Sequence, residues 1–451
     1  MTFAPTIGLI AEYNPFHNGH VYQLAKLREL HPDAAIVVIM SGSFTQRGGA
    51  AIADKWTRAA WAVRGGADLV LELPYAFACR SAEHFASGGV QCLAGLGCID
   101  ALAFGAEAEH IEPLEKAAAC MDDAALQEAL HARIAGGASY AAAMAAEVAA
   151  RTGVAAEVLR APNNILGMEY LRAVRRFAPE METLLVQRVG TDYHDTDMHG
   201  RFASASAIRA ALEGIYGEIP PTAQSSLSHA LPSPLLPSAS LTAPSEREPY
   251  IALQRVMPED CLAALMAALP DRLPRQSFLL RPLLSRLLLL DAASLSAVCG
   301  MGEGLEHRLL EKVQMARSFE GLVGAMTTRR YPRSRIARLL VHVLTGFTAE
   351  AAAAFDATGP RYLRVLAMDA RGARLLHRAK KTARLPIITK TSQFLKSKDM
   401  LRTWEDLTPL QQMLLYDVRA TELRELSLAS KGTYCRDFLT SPYVVRASCE
   451  K

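Results

Sequence analysis

The chain holds eight cysteines among 451 residues, yet it has no C-x-x-C pair and no Cys/His cluster at zinc-finger spacing. That excludes a cysteine-built zinc module and a dithiol redox motif. Cys79, Cys92, Cys98, Cys120, Cys261, Cys299, Cys435 and Cys449 read as reduced thiols. Cys92 and Cys98 stand in apolar surroundings and read as packing rather than a metal or redox pair. No stretch offers the run of about 18 uncharged apolar residues that a membrane helix needs. The Ala-rich stretch Ala138–Ala156 contains Glu147 and Arg151 and reads as an amphipathic helix. A positive n-region and a cleavage site are also missing at the N-terminus, so a cytoplasmic protein is expected. Charge of one sign is lacking overall, with a formal net charge of only +3.

The distribution of charge says more than its sum. Residues Glu303–Arg402 contain 20 Lys and Arg against 8 Asp and Glu, so the rest of the chain carries a net −9. A basic C-terminal half on an acidic body fits a polyanion such as RNA, or a solvated basic helical surface. Length and a 50% hydrophobic composition suit two or three domains with sizeable cores.

The first ~215 residues alternate strand and helix patterns. Thr6–Ala11, Ala34–Met40, Ala67–Leu73 and Ala101–Phe104 read as buried strands. Val21–Leu30, Asp54–Gly65, Ser81–Leu96 and Glu112–Leu130 read as helices. This order predicts an α/β fold with a doubly wound parallel sheet. Residues 217–249 are rich in proline and serine and predict a linker or mobile loop. The domains expected are therefore 1–216, an α/β domain, and 250–451, a mainly helical basic region. Tyr362–Met368 and Leu385–Thr389 form an α/β-like patch within the latter.

The chemistry concentrates in Ile7–His20, IGLIAEYNPFHNGH. A buried strand ends at Ala11, and a polar turn leads to a helix start near Gly19 and His20. Helix N-termini offer free N–H groups and positive partial charge to phosphate. His17 and His20 are three residues apart and can enter one site, where imidazoles donate hydrogen bonds to phosphate oxygens. Gly19 allows close approach to the backbone. The alternative is that the two histidines cap a helix and fill a turn. Downstream, SASAIR places Ser204 and Ser206 at a helix start with Arg209 on its first turn. Such a start can clamp β- and γ-phosphates.

These two motifs together resemble the HIGH-motif nucleotidylyltransferases. Longer strings carry a resemblance over nearly the full length to the family of bacterial tRNA(Met) cytidine acetate ligases. They include SGSFTQRGGAAIADKWTRA (41–59), GADLVLELP (66–74), FGAE (104–107), NNILGMEYL (163–171), QRVGTDYHD (187–195), GEGLEHR (302–308), RRYPRSRIARLL (329–340) and LPIITK (385–390). The resemblance implies activation of acetate by ATP with Mg²⁺, then acetyl transfer to the wobble cytidine of elongator tRNA(Met). It assigns catalysis to His17 and His20. It assigns ATP binding to Ile7, Gly8, Leu9, Ile10, Ala11, Glu12, Tyr13, Asn14, Pro15, Phe16, His17, Asn18, Gly19 and His20, with Gly105, Asn163, Arg188, Ser204, Ser206 and Arg209. By themselves Gly105 reads as a turn glycine, Asn163 as a helix cap and Arg188 as surface charge.

Arg47, Lys55 and Arg58 are candidates for neutralising triphosphate, acetate or RNA, or for a solvated helix face. Asp192, His194 and Asp195 suit water-mediated Mg²⁺ contacts or loop polarity, and no direct metal ligands are expected. For the tRNA the candidates are Arg329, Arg330, Arg333, Arg335 and Arg338, then Arg378, Lys380, Lys381 and Lys390. Tyr331 either stacks on an unpaired base or packs. The chain departs from the family pattern in its long Pro/Ser-rich segment and in Ser206, where threonine is common. Two other functions stay open: a nucleotidylyltransferase with a small-molecule product, and a non-catalytic RNA-binding protein.

Overall fold

The computed structural model describes residues 4–188, 200–217, 244–269, 271–430 and 432–445. Asp192, His194, Asp195 and most of the 217–249 segment lie outside the described residues.

Five strands form a parallel core: β1 (Thr6–Ala11), β2 (Ala35–Ser41), β3 (Leu69–Leu73), β4 (Ala101–Ala106) and β5 (Glu182–Gln187). β2, with the sequence AIVVIMS, is buried at every position. Continuous β-branched and apolar residues suit a strand covered on both faces. Helices α1 (Asn18–Leu30), α2 (Lys55–Arg64), α3 (Ala82–Leu96), α4 (Pro162–Phe177) and α5 (Ala205–Gly217) follow strands, as the doubly wound pattern requires. α3 and α4 share one core with Val37, Ile39 and Leu71. α1, α2 and α5 share the other with Ile7, Leu9, Val38 and Val70. Alternate residues of the same strands thus feed opposite faces.

The spatial order is β5-β4-β1-β2-β3-β6-β7, with β8 also paired to β6. β6 (Leu363–Met368), β7 (Ile387–Ile388) and β8 (Tyr443–Val444) come from the C-terminal half. β6 runs antiparallel to β3, with Arg364 opposite Glu72. The boundary expected at 217–249 therefore does not divide the sheet: residues beyond it complete one edge. The remainder of that half is mainly helical, including α6 (Arg333–Thr345) and the buried α7 (Pro409–Leu426). The helix expected over Glu112–Leu130 is two, Glu112–Cys120 and Ala124–Ala135, the second capped by Asp123.

Among the described residues no helix is long and apolar enough to cross a membrane. Cys92 is buried and Cys98 partly buried, both as free thiols.

Candidate active site

Strand order reverses between β1 and β4, because β2 and β3 extend the sheet one way and β4 and β5 the other. Ligands in open α/β sheets bind beyond the carboxyl ends of strands at such a switch point. The HNGH turn follows β1 at this place. His17 is the N-cap of α1, and its ring accepts the Gly19 N–H at 3.1 Å through Nδ1. Nδ1 of His20 accepts the His17 N–H at 3.2 Å. The two rings stack with centroids 3.8 Å apart. A neutral imidazole that accepts at Nδ1 carries its proton on Nε2. Both rings are thereby fixed as Nε2–H donors.

Burial, with Arg188 and then Arg209 nearby, holds the His17 pKa down to about 3. Burial, His17 and Arg188 push His20 well below its ordinary value. Both rings are neutral at pH 7. The positive charge here comes from guanidiniums. A Cβ on Gly19 would stand 2.9 Å from Cε1 of His17, so only glycine leaves room for the capping ring. Tyr13 walls the far side of His20, ring centroids 4.7 Å apart, and has a φ of 48°.

Arg209 donates to the Asn14 carbonyl at 2.6 Å and to Ser206 Oγ at 3.1 Å, joining the start of α5 to the β1 turn. Ser204 Oγ accepts the Ala207 N–H at 3.0 Å, an N-cap bond. The Arg188 N–H donates to Ala106 at the end of β4. A Cβ on Gly105 would meet Arg188 Cγ and Gln23 Nε2, each at 3.5 Å. Gln23, one turn after His20, was not among the sequence candidates, although its i+3 spacing signals the shared face. Glu12 lies just past β1, and its Oε1 accepts the Gln46 N–H at 2.6 Å.

Residues 4–436 match the model of the HIGH Nucleotidyl Transferase family. The chain belongs to that family. It is 36% identical over 455 residues to the tRNA(Met) cytidine acetate ligase of Syntrophotalea carbinolica, covering 98% of this chain and 99% of that one. With the tRNA(Met) cytidine acetate ligase of Syntrophomonas wolfei the identity is 32% over 450 residues, 97% of this chain and 98% of that one. The fold matches Thermotoga maritima TmcAL bound with alpha-thio ATP at a TM-score of 0.80 and 28% identity, covering 98% of this chain and 100% of that chain.

Within this HIGH nucleotidyl transferase, not every residue of the 7–20 stretch reaches a surface. Ile7, Leu9, Tyr13 and Phe16 are core, and Gly8 and Pro15 are buried. They shape the turn from beneath. Asn14 is spent on the Ile52 N–H at 2.7 Å, and the Asn18 amide donates to the carbonyls of Arg201 and Arg255. Ile10, Ala11, Glu12, Asn18, Gly19 and His20 are partly exposed.

Three other candidate side chains have partners within the protein. Lys55 is fully buried between Glu72 and Asp437, each at 2.7 Å, so it faces neither phosphate nor solvent. Arg58 is fully buried too, and spends its donors on the carbonyls of Glu12, Ser41, Gly42 and Ala53. Asn163 lies inside α4, which starts at Pro162; its amide and backbone N–H donate to Glu107, as does the Asn164 N–H. Glu107, within the FGAE string, is the anion at that helix start and was not a sequence candidate.

The basic residues separate into two groups. Arg329 and Arg330 are exposed beside the start of α6, Arg333 lies exposed on its first turn, and Arg335 follows half-buried. Arg338 donates to the Gln46 carbonyl at 3.1 Å, in the loop that also carries Arg47. That group borders the carboxyl end of the sheet. Arg378, by contrast, donates to Thr6 Oγ1 at the start of β1, some 20 Å away along a six-residue strand. Lys380 and Lys381 follow it on the far end of the sheet, which removes them from the site's rim. Tyr331 is packed: its hydroxyl donates to Glu303, and Arg330 and Arg335 cover its ring.

Proposed function

We infer that the protein activates acetate with ATP, releasing pyrophosphate, and transfers acetyl from acetyl-adenylate to the exocyclic amine of the wobble cytidine of elongator tRNA(Met). The carrying observation is similarity across almost the whole length of tRNA(Met) cytidine acetate ligases, with the stacked Nε2–H donors of His17 and His20 at the switch point. Attack of a carboxylate on the α-phosphorus requires positioning and stabilisation of charge on phosphate oxygens. The Nε2–H groups of His17 and His20 donate to those oxygens. Arg209, Ser206 and the α5 N-terminus hold the β- and γ-phosphates, and Arg188 adds charge beside Gly105.

Among the described residues no group of three His, Cys, Asp or Glu side chains could hold a metal ion. Mg²⁺ characteristically binds through substrate phosphates and water, which suits a site lined by donors. It would neutralise charge on the departing pyrophosphate. The RNA-facing group is Arg47, Arg329, Arg330, Arg333, Arg335 and Arg338. An anticodon loop already exposes its bases to such a surface. The division into 1–216 and 250–451 is then one of function, nucleotide chemistry against RNA binding. A cytoplasmic location suits these substrates.

Mass spectrometry of tRNA(Met) incubated with the protein, ATP and isotopically labelled acetate tests the reading. Labelled acetylcytidine at the wobble position is expected. Adenylylation of a small molecule without any RNA product would replace the reading. Retention of function by His20→Ala would point to a non-catalytic role.

A further inference from the structure

We propose that Glu12 is the general base of the acetyl-transfer step, taking the proton that the cytidine amine loses. This rests on acetyl transfer to a cytidine amine being the reaction.

The switch point gives the site two sides. On the β4 and β5 side stand Gly105 and Arg188. On the β2 side stands the loop after Ser41, with Gln46 and Arg47, and against it α6 with its arginines. Gly48, at φ 81°, lets this loop lie on the helix, since a Cβ there would meet the Arg338 nitrogen at 2.5 Å. Glu12 sits where the two sides meet. Oε1 is fixed by the Gln46 N–H at 2.6 Å, and Gln46 is itself held by Arg338 at 3.1 Å. The other carboxylate oxygen makes no hydrogen bond among the described residues.

A carboxylate is a poor lining for a triphosphate site, which calls for donors. It is a good proton acceptor beside an attacking amine. The histidines cannot take that part. Each has committed Nδ1 to a backbone N–H, so accepting a proton would break the cap that places it. Arg47, Arg58 and Arg209 surround Glu12 closely enough to draw on its charge, and Arg58 also donates to the Glu12 backbone carbonyl. Burial nevertheless raises the carboxyl above its ordinary value, against the Gln46 N–H and those arginines. That moves it toward the working range of a base.

The step balances. The amine nitrogen attacks the acetyl carbonyl carbon, and the bond from that carbon to the adenylate oxygen breaks. AMP leaves with the electron pair. The surplus amine proton passes to the Glu12 carboxylate and then to water.

The test compares Glu12→Gln with the wild type in two half-reactions. Gln keeps an acceptor for the Gln46 N–H. Acetate-dependent ATP–pyrophosphate exchange reads activation without RNA, and single-turnover acetylation of tRNA(Met) reads transfer. Transfer is expected to fall about 10²–10⁴-fold and exchange by far less. Equal losses in both, or no loss of transfer, overturn the proposal. The wild-type transfer rate should also rise with pH to a plateau, with an ionisation above the ordinary carboxylate range, and Glu12→Gln should abolish that rise. A flat wild-type profile overturns the proposal without any variant. Absence of acetylated tRNA in the wild type counts against the whole reaction. An unaltered Glu12→Gln profile counts against Glu12 alone.

Discussion

In the histidine pair neither ring is free to choose its tautomer. Backbone N–H groups occupy both Nδ1 atoms, and Gly19 leaves the room for His17 to do so. Gly19→Ala places a methyl 2.9 Å from that ring and tilts it off its cap. ATP–pyrophosphate exchange should fall about 10²-fold, as displacements near 1 Å do, while the melting temperature changes little. The depressed histidine pKa also has a thermodynamic consequence. His17 ionises near 3 in the folded protein and near its ordinary 6.5 when unfolded. Between these values the unfolded chain binds a proton that the folded chain does not, so stability falls as pH drops through this window. Buried His342, held down to about 4, acts in the same direction. Urea denaturation from pH 7 to pH 5 should show the decline, with a shallower slope in His17→Asn.

Helix α2 shows how an element's charge pattern can mislead. Lys55 and Arg58, three residues apart, read on paper as a basic face open to an anion. In the fold that face is turned inward, against β3, β6 and the strand ends. Lys55→Met would leave Glu72 and Asp437 sharing Arg364 alone. Breaking a buried pair from one side costs about 3–5 kcal/mol, which urea denaturation would read. The start of α6 behaves in the opposite way. Arg333 is exposed and Arg335 half-buried there, so Arg333→Gln and Arg335→Gln should leave stability nearly intact. Each should weaken tRNA binding and lower the slope of log K against log salt by about 0.7 if it neutralises one phosphate of the single-stranded anticodon loop.

At the scale of the molecule, the last described residues close one edge of the sheet against the N-terminal half. Asp437 enters the Lys55 and Arg364 pair, Arg436 reaches Asp54 and Glu425, and Tyr443 meets Arg64. β8 pairs with β6. A chain ending at Thr433 loses all of these and leaves two buried cations facing Glu72. It should no longer unfold in one cooperative transition, which circular dichroism and calorimetry would reveal. Burial opposes the charge on Asp437, yet Lys55 and Arg364 hold its carboxyl down to about 2. Its stabilisation is present above about pH 4 and is lost as pH falls through 2. Below pH 3, therefore, the full chain should behave increasingly like the truncated one.

Local signals carried the alternation of strands and helices, because buried parallel strands are continuous apolar runs and helix starts bear polar caps. They carried the HNGH and SASAIR turns too, since both depend on residues adjacent in the chain. Those signals say nothing of which side of a helix faces the core. That is why Lys55 and Arg58 looked like candidate ligands for an anion, and why the sequence could not say where Lys380 and Lys381 stand relative to Arg338. Only the tertiary structure sent one basic group to the rim of the site and the other to the far end of the sheet. It alone joined β6 to β3 across nearly 300 residues and brought Gln46 to Glu12. Pairings at such separation are set by which faces must be buried together, and no local stretch of sequence encodes them.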